Sequence, residues 1–310
     1  MGEIKKLNFY AFAFLFVYLI IVGIHYFTNS VSLNLNQLIV ILVSIVILFL
    51  SQILLKKRRI INLFIIFYMV VASLISIYGF FHSGSIFSYG PDLGKLLSLV
   101  VPIPLFLFFL KDKLKWFYLF SFIILLAGVF ASGSRGAFIS IISSILLISF
   151  IEKKKLKIKR KHIIYSILII IIFFLIFSGF SFKLLSTFKG NILSDRPEIW
   201  LNSFKLIRQK VLFGNGVSLY SYDIYLQILL EAGLVVFVLF LFFLYNLFKI
   251  SLNKLSKLKR YNYFLLIGLL SGTLSFLILG LIEHSLSGKY FALLFWLNIG
   301  LIINLLKNEK

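Results

Sequence analysis

The chain has 310 residues and a formal net charge of +22, yet only 14% of its residues are charged and 61% are hydrophobic. Its mean hydropathy of +1.06 excludes a soluble globular domain, in which about a quarter of residues are charged. The basic excess sits in short clusters between apolar runs, a topology pattern rather than a nucleic-acid surface, and the absence of cysteine excludes disulfide and thiol chemistry.

Apolar runs of about 17–25 residues, each long enough to cross a hydrocarbon core, predict an all-α polytopic membrane protein. Continuous rather than alternating apolarity argues against a transmembrane β-barrel. In chain order the predicted segments are 8–29, 35–55, 60–79, 93–110, 115–131, 134–151, 162–180, 223–248, 262–281 and 289–306. The first follows Met1-Gly2-Glu3-Ile4-Lys5-Lys6 with no small-residue cleavage site, so it reads as an uncleaved helix. Pro102 and Pro104 are expected to bend the fourth. About ten helices in one integral domain, 1–310, are therefore expected.

Placing both termini in the cytoplasm puts 23 of the 32 basic residues on the inner side. The inner clusters are Lys5-Lys6, Lys56-Lys57-Arg58-Arg59, Lys111/Lys113/Lys115, Lys153 to Lys161, Lys249 to Arg260 and Lys307/Lys310. Every short inner connection is then basic, as orientation by positive charge requires. The one long outer connection is 181–222, and loops of this length usually carry function or are disordered. Within it Ile199, Trp200, Phe204 and Ile207 recur at helical spacing, with Lys205 and Arg208 on another side. This predicts an amphipathic interfacial helix over about 197–210, capped by Asp195 with Pro197 in its first turn.

The candidate chemistry lies on the outer side. Ser132-Gly133-Ser134-Arg135-Gly136 joins two helices. Gly133 and Gly136 suit a tight turn and close ligand approach. Arg135 brings a permanently charged fork suited to phosphate, against the alternative of an arginine snorkelling to headgroups. Arg196 opens the loop helix between Asp195 and Glu198, as a second phosphate clamp or as a local ion pair. Arg208 and Lys210 are further cations, which also suit lipid headgroups. Gly214-Asn215-Gly216 is a turn that brings the loop back over the membrane.

Asp223 leads into the eighth segment as a helix cap or as a group that orients a hydroxyl nucleophile. Glu231 lies two turns further in, and a carboxylate inside a spanning helix is a functional candidate by default. Both are expected to face a wet cavity. Asp223 and Gln227 share a helix face and could act together. Glu283 and His284 end the ninth segment, while His82, Tyr89, Asp92 and Lys95 decorate another outer loop. His25, His82, His162 and His284 form no close ligand spacing, so no metal site is expected.

Three ordered motifs carry a resemblance. They are Ser132-Gly133-Ser134-Arg135-Gly136; Asp195-Arg196-Pro197-Glu198-Ile199-Trp200 with Val211-Leu212-Phe213-Gly214-Asn215-Gly216; and Asp223-Ile224-Tyr225-Leu226-Gln227 with Glu231-Ala232-Gly233-Leu234. With this order and large outer loop, roughly residues 115–250 resemble the O-antigen ligase and polysaccharide polymerase superfamily, bacterial membrane glycosyltransferases with a GT-C-like helical fold. The resemblance implies an enzyme of the cytoplasmic membrane with its site facing outward. Its donor would be an undecaprenyl-diphosphate-linked oligosaccharide and its acceptor a sugar hydroxyl, with no cofactor and no metal. Arg135 and Arg196, with Arg208, would bind the diphosphate; Asp223 and Glu231 would complete the catalytic set. Membrane lipids, a flippase and a chain-length regulator are the expected partners.

Ligases of this kind read His-Asn, one residue, then Tyr-Leu before the post-loop helix; here Tyr222-Asp223 takes the first two places. That departure shifts the expectation toward a repeat-unit polymerase for capsule, exopolysaccharide or O-antigen. The alternatives are an O-antigen ligase acting on lipid A-core and a transporter or flippase of lipid-linked sugars.

Overall fold

The computed structural model describes residues 2–28, 35–81, 90–110, 112–151, 196–216, 221, 223–283, 286 and 288–307. The expected segment 162–180, the cluster Lys153 to Lys161, and Asp195, Tyr222, His82, His162 and His284 lie outside the described residues.

The helices are α1 (Gly2–Thr28), α2 (Leu35–Leu54), α3 (Arg58–Phe81), α4 (Gly90–Val100), α5 (Pro102–Phe108), α6 (Lys115–Ala131), α7 (Arg135–Ile151), α8 (Arg196–Gln209), α9 (Ile224–Leu255), α10 (Arg260–Leu279) and α11 (Lys289–Lys307). Six of them, α1, α2, α3, α9, α10 and α11, are long and apolar enough to cross a membrane; α6 and α7 are shorter apolar helices. Among the described residues the fold is all-α and polytopic. Large side chains such as Phe16, Phe67, Leu74, Phe150 and Val238 point outward from it, as lipid-facing residues do.

The fourth expected segment is two helices. Pro102 has no N–H to give, so it starts α5 at the first helical position rather than continuing α4. Pro102 to Leu107 are all buried, so this break is surrounded by protein and not by lipid. A broken helix at membrane depth is tolerated on that condition.

The most enclosed spanning helix is α10, and its small residues explain how it packs on both sides. Gly268 and Gly272 face α4–α5: a Cβ on Gly268 would stand 2.9 Å from Ile103 Cα, and one on Gly272 would overlap the Leu99 carbonyl oxygen. One residue round the helix, Ser271 and Ser275 meet Ser144 and Ser140 of α7 at 3.2 and 3.1 Å. From α11, Asn298 donates to the Leu269 carbonyl (3.1 Å) and Thr273 Oγ1 (3.0 Å). Lipid supplies no hydrophobic drive between helices, so close backbone approach and interhelical hydrogen bonds hold such bundles together.

The same device joins α11 to α2, where Gly300 meets Ser51, Asn304 donates to the Ser51 carbonyl (2.7 Å) and Lys307 to Gln52 (2.7 Å). It joins α6 to α3 through Gly128 against Ser76. An aromatic cluster ties α1, α9 and α11: Phe14 lies 5.0 Å from Phe240 and 5.9 Å from Trp296, which stacks on Phe243 at 5.7 Å.

Candidate functional site

The α6–α7 turn is closed by its serines. Ser132 Oγ donates to the Val129 carbonyl (2.6 Å) and accepts from Ser134 N (3.2 Å). Ser134 Oγ accepts from Ala137 N (3.2 Å), the N-cap bond to the third helical residue. Arg135 is thereby fixed as the first residue of α7, with its side chain exposed. The turn is packed against two other elements. A Cβ on Gly94 of α4 would stand 2.6 Å from Ser134, and one on Gly136 would stand 2.9 Å from Leu279 at the end of α10.

That end of α10 also gathers the second arginine. After Leu279 the chain turns, and Glu283 N donates back to the Leu279 carbonyl (3.0 Å). Glu283 Oε1 pairs with Arg196 Nη2 of α8 at 3.2 Å, and its Oε2 pairs with Lys95 Nζ of α4 at 3.2 Å. Lys95 pairs also with Asp92 at 2.9 Å and lies 5.6 Å from the centroid of the Phe291 ring. The Lys95 side chain is only 4% exposed. A buried ammonium requires counter-charge, and two carboxylates supply it.

Asp223 enters the same region from α9. It is the N-cap of that helix, accepting from Tyr225 N (2.7 Å) and Leu226 N (2.9 Å). Ile224 N donates to the Gly280 carbonyl (2.8 Å), which seats the start of α9 against the end of α10. Ser221 Oγ donates to the Asp223 carbonyl (2.7 Å), and Trp200 of α8 donates to the Ser221 carbonyl (2.9 Å). Partial burial raises the Asp223 carboxyl above its ordinary pKa, against the opposing pull of its two backbone N–H donors.

Glu231 has a different environment from the one its sequence position predicts. It is 1% exposed, enclosed by side chains of α1, α2 and α9. Its carboxylate accepts from Tyr18 of α1, Gln37 of α2 and Gln227 of α9. Gln227 in turn accepts from Ser221 N (3.2 Å), so its amide pairs with Ser221 and Glu231 rather than with the Asp223 side chain.

Two residues later α9 breaks. Gly233 has φ 76° and ψ −172°, a backbone state closed to residues bearing a Cβ. The break leaves backbone groups without helical partners, and the segment after α8 meets them. Asn215 N donates to the Leu230 carbonyl (2.7 Å) and Gly216 N to that of Glu231 (3.3 Å); Leu234 N donates to Val211 O (2.8 Å) and Val235 N to Leu212 O (3.3 Å). The expected Gly214-Asn215-Gly216 turn is thus seated in the helix break itself. His25 of α1 bonds the Phe213 carbonyl (2.8 Å), and Asn215 donates to the Leu206 carbonyl of α8 (2.5 Å).

Arg135, Arg196 and Asp223 are accordingly carried by elements that meet at one end of α10. Arg208 is not among them: it lies about 18 Å of helix rise along α8 from Arg196 and is exposed. Sequence alone places Lys95 in an outer loop and Glu283 at the end of the ninth segment without joining them, although the Asp92/Lys95 spacing marks an i, i+3 ion pair. Tyr18 and Gln37 escape sequence reasoning because the first two helices show no polar motif that points at residue 231, and His25 reads there only as one of four scattered histidines.

Residues 120–223 match the family model described as O-antigen ligase. The matched stretch, about a third of the chain, opens within α6, includes Arg135 and Arg196, and closes on Asp223. Lys95, Glu231 and Glu283 fall outside it. No curated protein matches the chain. The match and the polytopic fold support a glycan-transfer function of the O-antigen and capsule type.

Proposed function

We propose that this protein transfers a glycan from a polyprenyl diphosphate carrier to an acceptor sugar hydroxyl at the outer membrane boundary. The observation that carries the reading is that Arg135 and Arg196, both within the O-antigen ligase match, stand on elements that converge on one end of α10. The acceptor oxygen attacks the anomeric carbon, the bond from that carbon to the diphosphate breaks, and polyprenyl diphosphate departs with the electron pair. Arg135 and Arg196 meet the charge that develops on it, the term that usually contributes most to such catalysis. Asp223, made more basic than an ordinary carboxylate by its burial, takes the acceptor proton. Glu231 acts at a distance, holding the break in α9 that seats the 211–216 turn. Both lipid tails remain in the bilayer, which restricts the reactants before they meet.

Transfer of a completed glycan onto a lipid-anchored core sugar is the form that the family description supports. Chain growth on the carrier, catalysed by a repeat-unit polymerase, is the second reading; it rests on Tyr222-Asp223 where ligases carry His-Asn. The deciding assay supplies purified protein in nanodiscs with a lipid-linked repeat unit and a core-sugar lipid, and follows diphosphate release and glycan length. Core-linked product supports ligation; longer carrier-linked glycan supports polymerisation. Arg135→Ala and Arg196→Ala are each expected to lower turnover about 100-fold, with melting unchanged in Arg135→Ala. Full activity in both variants overturns the assignment.

A further inference from the structure

Among the described residues, the ion pairs that Glu283 joins at the end of α10 balance in charge. Lys95 and Arg196 contribute two positive charges, and Asp92 and Glu283 two negative ones. Glu283 is the bridge, with one oxygen on each cation, so neither cation can give its full charge to a ligand while Glu283 stays in place. Glu283 is nevertheless poorly anchored by its own element. It follows the C-terminal end of α10, where the helix dipole opposes a carboxylate, and its side chain is 14% exposed. Among the described residues, Lys95 and Arg196 hold it there.

An anion that pairs with Lys95 or Arg196 must therefore replace Glu283 and leave the buried Lys95 neutralised. A singly charged phosphodiester, such as the headgroup of phosphatidylglycerol, exchanges one negative charge for another. It also competes with a carboxylate already tethered beside the cations, whose effective concentration is high. A sugar-linked polyprenyl diphosphate is a pyrophosphate diester with two charged phosphates, one for Lys95 and one for Arg196. Resting on the donor reading above, we infer that Glu283 is a specificity-determining counter-ion: it yields Lys95 and Arg196 to a doubly charged diphosphate and withholds them from the monoanionic lipids of the surrounding bilayer.

The test uses the full chain in nanodiscs of phosphatidylcholine, or of phosphatidylcholine and phosphatidylglycerol in equal parts, with a short-chain prenyl-diphosphate-linked sugar as probe. Wild-type affinity for the probe is expected to be the same in both discs within about twofold. Glu283→Gln, which keeps the shape and removes the charge, is expected to bind the probe about tenfold more tightly in phosphatidylcholine and to lose about that factor when phosphatidylglycerol is present. Glu283→Asp retains the charge and is expected to behave as wild type. A purely structural ion pair would weaken binding in Glu283→Gln, in both discs alike, and that result overturns the inference. Loss of wild-type affinity in phosphatidylglycerol overturns it too, and needs no variant that must fold. Arg196→Ala separates the two levels. Unchanged affinity in that variant removes the donor reading itself. Lost affinity, with no lipid dependence in Glu283→Gln, removes only the role of Glu283.

Discussion

Three side-chain donors from three helices converge on the Glu231 carboxylate, and each loses its acceptor if that side chain is removed. Glu231→Ala is expected to cost about 3 kcal/mol, because buried donors without acceptors carry their desolvation penalty unpaid by any bond. A melting curve in detergent measures it, and an unchanged midpoint would show that the donors find other acceptors. Asp223 permits a cleaner separation of structure from chemistry. Asparagine caps a helix about as well as aspartate, so Asp223→Asn should change stability by only a few tenths of a kcal/mol, whereas Asp223→Ala should cost about 1 kcal/mol. If Asp223 takes the acceptor proton, the asparagine variant melts as wild type but transfers glycan slowly; wild-type turnover in Asp223→Asn would leave it a cap alone. Asp223 was legible as a cap from its place before an apolar run. The partners of Glu231 were not, since Tyr18 and Gln37 lie about 200 residues away in sequence.

At the level of elements, the bundle depends on close backbone approach at small residues. Gly272→Leu would drive a side chain into the Leu99 carbonyl of α4, and backbone cannot step aside as a flexible side chain can. A loss of about 2–3 kcal/mol in thermal unfolding is expected; a wild-type melt would mean that α4 and α10 can separate without cost. Gly233 is constrained twice over, by its positive φ and by the Leu212 carbonyl that a Cβ would overlap. Gly233→Val should therefore unseat the 211–216 turn and, through Asn215 and Leu206, loosen α8. Protease cleavage within 209–216 should rise sharply, and a resistant turn would argue that α8 is held by Arg196 and Trp200 alone. The helix over 196–209 was legible from its apolar spacing and Pro197, and its observed bounds differ by one residue at each end from those expected. The division of the fourth segment at Pro102 was legible only as a bend, because proline fixes where a helix cannot continue but not whether it kinks or restarts.

For the whole molecule, the orientation rests on charge. The basic connection after α9 should face the cytoplasm and the end of α8 the opposite side. The chain has no cysteine, so single cysteines report without background. Gln209→Cys should react with a membrane-impermeant maleimide in intact cells, and Lys257→Cys only after permeabilisation; the reverse pattern would overturn an outward-facing site.

Membrane residence, an all-helical fold and the places of Arg135, Arg196 and Asp223 could be read from sequence because each is a local property. Hydropathy over one span, a glycine-rich turn beside an arginine and a cap before an apolar run are all written within a few consecutive residues. Tertiary structure alone decided that Glu231 is enclosed rather than wet, that α9 breaks at Gly233 to receive the 211–216 turn, and that Glu283 bridges Lys95 to Arg196. Each of those depends on groups brought together from distant parts of the chain. In an interior poor in water, the partner a buried polar group finds, and not its own identity, determines what it can do.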